Sequence, residues 1–213
     1  MAEFQSVIAI MPGHAEVESA VKSLHKAGFD MRKLSVAGSD EIEGQPLAGY
    51  FNTGDRMAVV GTFGSLWSWL WGHLLGSAYL VHPKIGPFAV GGPLVGWLVS
   101  EDGDHSNSTH AYTFAEALIN VGIRQESADR YEKALAERKF VIVAMGEEDE
   151  VQRAKPILSP VAESVSSHKI VAPPLKALEK NFDAARSPRS AALSGSHVNH
   201  GKVDAPPELR TGT

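Results

Sequence analysis

Residues 57–81, MAVVGTFGSLWSWLWGHLLGSAYLV, contain no Asp, Glu, Lys or Arg, and His73 is the only side chain among them able to take a charge near neutrality. A run of 25 such residues must be buried against lipid, against the rest of the chain or against another copy, since monomers rarely expose so large an apolar surface. As a single helix it would extend about 37 Å, enough to cross a hydrocarbon core of about 30 Å. Gly64, Ser68, Gly72 and Gly76 fall four apart, which lines one helical face with a groove that admits a second backbone, a glycine zipper. After His82, Pro83 and Lys84 comes a second uncharged run, residues 85–99 (IGPFAVGGPLVGWLV), with Gly92 and Gly96 four apart. At about 22 Å, and interrupted by Pro87 and Pro93, it is too short to span and is expected to return as the second arm of a re-entrant helical hairpin. The tryptophans leave a competing reading open. Trp67, Trp69 and Trp71 stand in mid-segment, away from the interfacial level that such rings prefer, so the same hairpin fits the core of a water-soluble oligomer.

The flanks are of a different kind. Residues 4–11 (FQSVIAIM) form a short apolar run ended by Pro12 and Gly13, the pattern of a strand buried on both faces. From 14 to 27, Val17, Ala20, Val21 and Leu24 recur at helical spacing and Gly28 follows as a stop. Residues 34–37 then read as a second strand closed by Gly38, a βαβ unit whose crossover makes its strands parallel. Residues 140–145 (FVIVAM), a helix over 147–155 cut short by Pro156, and a closing strand over 168–171 repeat the pattern. Two such halves predict an α+β fold, a ferredoxin-like split βαβ sheet of four strands with helices on one face, interrupted by the hairpin. Between them, residues 112–121 form a helix with Phe114, Ala115, Leu118 and Ile119 on one side. A second helix over 125–138 has only the narrow stripe Ala128, Tyr131 and Leu135, which places it on the surface.

The domain plan is therefore a first βαβ half over 1–50, the hairpin over 51–100, surface helices and the second half over 101–172, and a tail over 173–213. The tail is rich in Pro, Ser, Ala, Gly and charge, too poor in apolar area to offset chain entropy, and is expected to be disordered apart from a helical turn near 175–185.

In their order, AGFDMRKLSV, FNTGDRM and IGPFAVGGPLVGWLV resemble the bacterial general-stress-protein 17M-like domains, also called the heat-induced stress protein YflT domain; the similar segments lie within about residues 5–158. The polar stretch 100–110 (SEDGDHSNSTH) departs from that pattern and shortens the hairpin. The resemblance implies a protein of general, heat or osmotic stress, membrane-associated or permease-like, with no catalytic residues to carry over.

Chemistry is excluded mostly by what is missing. With no cysteine there are no disulfides, thiolate zinc sites, iron–sulfur clusters or thiol nucleophiles. A net charge of -5 with interleaved signs offers no stripe for nucleic acid, and none is expected as a partner. Neither GxGxxG nor GxxxxGK[ST] occurs. Nine histidines are scattered without the paired helical spacing of a zinc site; His105 and His110 with Glu101, Asp102 and Asp104 suit a solvated loop better than a chelate, and His197 and His200 lie in the tail. Asn52, Thr53, Gly54, Asp55 and Arg56 form the best polar motif, equally suited to a capped turn. The N-terminus lacks a basic, uninterrupted signal segment. The expectation is thus a non-enzymatic stress protein with no cofactor and no metal. It self-assembles as a homo-oligomer or meets membrane lipid through Gly64, Ser68, Gly72, Gly76, Gly92 and Gly96, on the cytoplasmic side of the inner membrane or as a cytoplasmic assembly. The alternative is a soluble regulatory or ligand-binding module with the hairpin in an oligomer core.

Overall fold

A computed structural model describes residues 2–38, 70, 74, 76–82, 84–98 and 113–172. The fold is α+β. Strands β1 (Ala2–Met11), β2 (Leu34–Gly38), β3 (Ser77–His82), β4 (Gly86–Gly91), β5 (Phe140–Gly146) and β6 (Ser164–Ala172) join in one sheet of order β3-β4-β2-β5-β1-β6. Every neighbouring pair is antiparallel. Helices α1 (His14–Lys26), α2 (Leu94–Leu98), α3 (Phe114–Asn120), α4 (Gln125–Ala136) and α5 (Glu148–Leu158) connect and cover it.

The two βαβ units interleave. β1 and β2 run parallel but are separated by β5, and β5 and β6 run parallel but are separated by β1. Their crossovers, α1 and α5, lie on the same face, where Val17, Ala20, Val21 and Leu24 of α1 and Val151, Ala154 and Leu158 of α5 meet Val7, Ala9, Met11, Leu34, Val36, Ile142 and Ala144. The continuous apolar runs of β1 and β5 follow from a second core on the opposite face, where Ile8, Ile10, Val141, Val143 and Met145 pack under α2, α3 and α4. Among the described residues, helices on both faces replace the expected one-faced sheet, and six strands replace four. α4 is accordingly no surface helix, since Ala128, Tyr131, Glu132, Ala134 and Leu135 are buried. α3 packs beside it in the same core, so its narrow stripe is enough to seat it.

Pro156 does not end α5 early; the helix runs on to Leu158. Proline removes only the bond to the carbonyl four residues back, and both Pro156 and Gln152 are exposed, so that carbonyl lies on the hydrated side. The N-terminus of α5 is fixed by a capping box between Glu147 and Glu150, and Glu150 also takes the Lys33 ammonium at 2.6 Å, tying α5 to the turn before β2.

The main correction concerns the apolar hairpin. Its described part is a β-hairpin, β3 pairing with β4 from Ser77↔Gly91 to His82↔Gly86, and β4 adds to β2 from Val36↔Gly91 to Gly38↔Ala89. Residues 77–81 are therefore a strand and not the end of a 25-residue helix, and the second arm is a strand plus the five-residue α2. Pro83, Pro87 and Pro93 oppose a continuous helix, while β2 has an edge to be paired. β2 and β3 run parallel to each other on either side of β4, with Val36 and Ser77 both opposite Gly91. Leu70 is fully buried and Leu74 is 8% exposed, both in the core beneath α1 and α5. Among the described residues no helix is long and apolar enough to cross a membrane.

Candidate functional site

Of the residues singled out in the sequence, Gly76, Gly92 and Gly96 are described; Gly64, Ser68, Gly72, the motif Asn52, Thr53, Gly54, Asp55 and Arg56, the acidic loop with His105 and His110, and the tail lie outside the described residues. Gly76 and Gly92 do approach each other, with the Gly92 amide donating to the Gly76 carbonyl at 3.0 Å. They do so at strand ends, with φ of 73° and 90°, and not across two helices. A Cβ on Gly92 would stand 2.0 Å from the Leu34 carbonyl oxygen, so glycine here serves the passage of the chain across β2. Gly96 sits inside α2.

The polar groups that the fold gathers are others, and they cluster along α4. Glu132 is 7% exposed. Its Oε2 accepts the Ala115 amide at 3.0 Å, holding the first turn of α3, and its Oε1 accepts from the Lys84 Nζ at 3.3 Å. His82, at the end of β3, uses Nδ1 to accept the amides of Lys84 and Ile85 at 3.1 and 3.2 Å. With Nδ1 an acceptor, the neutral ring carries its proton on Nε2, which stands 3.9 Å from Glu132 Oε2, beyond hydrogen-bond distance but near enough for electrostatic attraction. The β3–β4 turn, α3 and α4 are thus tied by one buried carboxylate. Thr113 and Glu116 complete the start of α3 as a capping box, and the Thr113 amide holds the Glu116 carboxyl below its usual range.

One residue earlier on α4, Tyr131 is fully buried and its hydroxyl meets His168 Nε2 on β6 at 2.8 Å. The rings stand edge-to-face at 5.9 Å. Arg130 lies over the Tyr131 ring at 5.5 Å and donates from Nη2 to the Ser166 Oγ at 3.2 Å. Burial, with Arg130 and Arg124 beside it, pushes the His168 pKa down from 6.5. The folded state therefore favours the neutral ring while the unfolded chain titrates near the ordinary value. Stability from this group is full above about 6.5 and falls as the pH drops below it, where only the unfolded chain binds the proton. Urea titrations between pH 7.5 and 5 should show that acid loss in the parent and a smaller one in His168→Gln; parallel profiles would remove His168 as the cause.

Chemically, Glu132 and His82 are each engaged by amides of the turns they hold, and Tyr131 is spent on His168, which makes them structural ties. Among the described residues no group of three or more His, Asp or Glu is placed to hold a metal ion. A shallow cleft between α1 and α5 is lined by Leu24, Phe29, Glu150, Arg153 and Ile157, but its charges are paired, Glu150 with Lys33 and Arg153 with Asp149. None of these ties was read from the sequence. The available signal was Glu132 beside the stripe Ala128, Tyr131 and Leu135, one position where α4 turns a carboxylate toward α3.

Comparison with protein-family models, with curated proteins and with solved structures finds no match.

Proposed function

We propose that this chain is a non-enzymatic bacterial stress-response module of the general-stress-protein 17M-like kind, built on a ferredoxin-like split βαβ sheet and acting by self-association in the cytoplasm. The interleaved order β2-β5-β1-β6 supports that fold, since it is what two split βαβ units produce when they share one sheet; β3 and β4 extend it at the β2 edge. The commitment of Glu132 and His82 to backbone amides, and of Tyr131 to His168 on β6, supports a structural over a catalytic role for these groups. The observation that carries the choice of assembly over membrane insertion is the burial of Leu70 and Leu74 in the core beneath α1 and α5. With those two side chains and strand Ser77–His82 belonging to the domain, what is left of the uncharged run is residues 57–69, about 20 Å as a helix, short of a bilayer core of about 30 Å. A second copy is the natural cover for it.

The test is fractionation of cells producing the full chain, followed by light scattering on the supernatant. The expected result is protein in the high-speed supernatant without detergent, at a mass above the monomer, with Trp67→Ser and Trp69→Ser together shifting it toward monomer. Recovery only from the membrane pellet with detergent would overturn assembly in favour of lipid contact. A monomeric supernatant would overturn self-association.

A further inference from the structure

We propose that the corner where the start of α4 meets β6 binds the phosphoryl group of a small molecule through Arg124, Arg130, His168 and Ser166. The corner is built by backbone contacts. The Val171 amide donates to the Val121 carbonyl at 2.8 Å, docking the turn before α4 onto the outer edge of β6 and bringing Arg124, at the head of α4, beside the strand. Arg130 reaches the same strand by its bond to Ser166 at 3.2 Å, and Tyr131 fixes the His168 ring two residues further along it.

The site presents donors. When the Tyr131 hydroxyl donates to Nε2, the neutral His168 ring carries its proton on Nδ1, and Nδ1 has no partner among the described residues. Ser166 Oγ accepts from Arg130 and keeps its own proton to give. Arg130 spends one N–H there and retains the rest of its fork, the geometry that matches an oxyanion.

What is missing is a counter-charge. Lys22, Arg32, Lys33, Lys133, Lys139 and Arg153 each have a carboxylate within ion-pair distance. Arg124 and Arg130 have none among the described residues, although Glu126 and Asp129 are near them in the sequence. Arg130 instead reaches Ser166, two residues along β6 from the half-buried His168 ring, and burial together with the charges of Arg130 and Arg124 lowers the pKa of that ring. Two cations without a carboxylate among the described residues, with the neutral donors of Ser166 and His168 on the adjoining strand, suit a dianionic phosphoryl group better than a monoanionic carboxylate.

The experiment is an NMR titration of the full chain with inorganic phosphate at constant ionic strength, following the His168 ring and the amides of 121–125 and 165–169. Saturable shifts confined to those resonances are expected. Arg124→Gln and Arg130→Gln should each weaken phosphate at least about tenfold, the loss of a charge-assisted pair. Arg130→Lys should restore only part of it, and Ser166→Ala, which leaves the arginines and the fold in place, should weaken it several-fold. Absence of a saturable shift, or equal affinity in the parent and both Gln variants, would overturn the site. Acetate binding as tightly as phosphate would overturn the phosphoryl assignment. None of these readings depends on oligomeric state, so failure here is separate from failure of self-association.

Discussion

Replacing Gly92 by alanine is expected to destabilise the domain by about 2–5 kcal/mol, the sum of a left-handed backbone forced on a residue with a Cβ and overpacking against a rigid neighbour. At φ of 90° the added carbon would lie 2.0 Å from the Leu34 carbonyl oxygen and 2.7 Å from the Ser35 Cα. Both neighbours are main-chain atoms of β2, whose bonds to β4 and β5 leave no side chain to swing away. The Leu94 amide also donates to the Ser35 Oγ at 3.0 Å, so a displaced Gly92 would carry α2 out of register. Gly28→Ala separates the two contributions. Gly28 has a φ of 77° but nothing within 4 Å of its missing Cβ, and should lose only about 1–2 kcal/mol from backbone strain. Urea unfolding of the two variants is the measurement. Equal losses would mean that the close approach to β2 adds nothing to the backbone strain.

The other large effect is expected at Glu132. Its carboxylate is buried and accepts from the Ala115 amide and from Lys84. Glu132→Ala should cost about 3 kcal/mol, because a buried amide at the head of α3 loses its acceptor and the His82 edge loses its counter-group. Lys84 itself is mostly exposed, so its share is screened and small. Glu132→Gln retains an oxygen for Ala115 and should cost about 1 kcal/mol, the charge-dependent remainder. Thermal or urea unfolding gives both numbers, and amide exchange at residues 114–118 should quicken in the Ala variant alone. If Gln and Ala were equally damaging, the charge and not the cap would be the important contribution.

Both positions show where local reading stopped. In the sequence Gly92 is a zipper position because Gly96 follows four residues later, and Glu132 falls outside the narrow stripe of Ala128, Tyr131 and Leu135. Spacing of four is shared by a helical groove and by accidental placement of glycines at a strand end and in a short helix. Only the approach of β2 separates the two. The proposed phosphoryl-binding corner is equally hidden, since Arg130 and Tyr131 precede Ser166 and His168 by 36 and 37 residues and meet them only because β6 returns to the sheet edge beside α4.

The sequence by itself determined the two βαβ units. Periods of 3.6 in α1 and α5 and unbroken apolar runs in β1 and β5 are local properties that any burial of those residues must respect. It also carried the sign that both sheet faces are covered, because runs such as FVIVAM leave no polar side to a strand. Tertiary structure alone decided what residues 77–91 become. Residues 77–91 have enough apolar character for a helix, a strand or a lipid contact, and the open edge of β2 selected the strand by offering backbone hydrogen bonds that no isolated segment can supply to itself in extended form. The same long-range choice seated Leu70 and Leu74 in the core and set α4 against the sheet, turning Glu132 and Tyr131 inward to the partners that hold them.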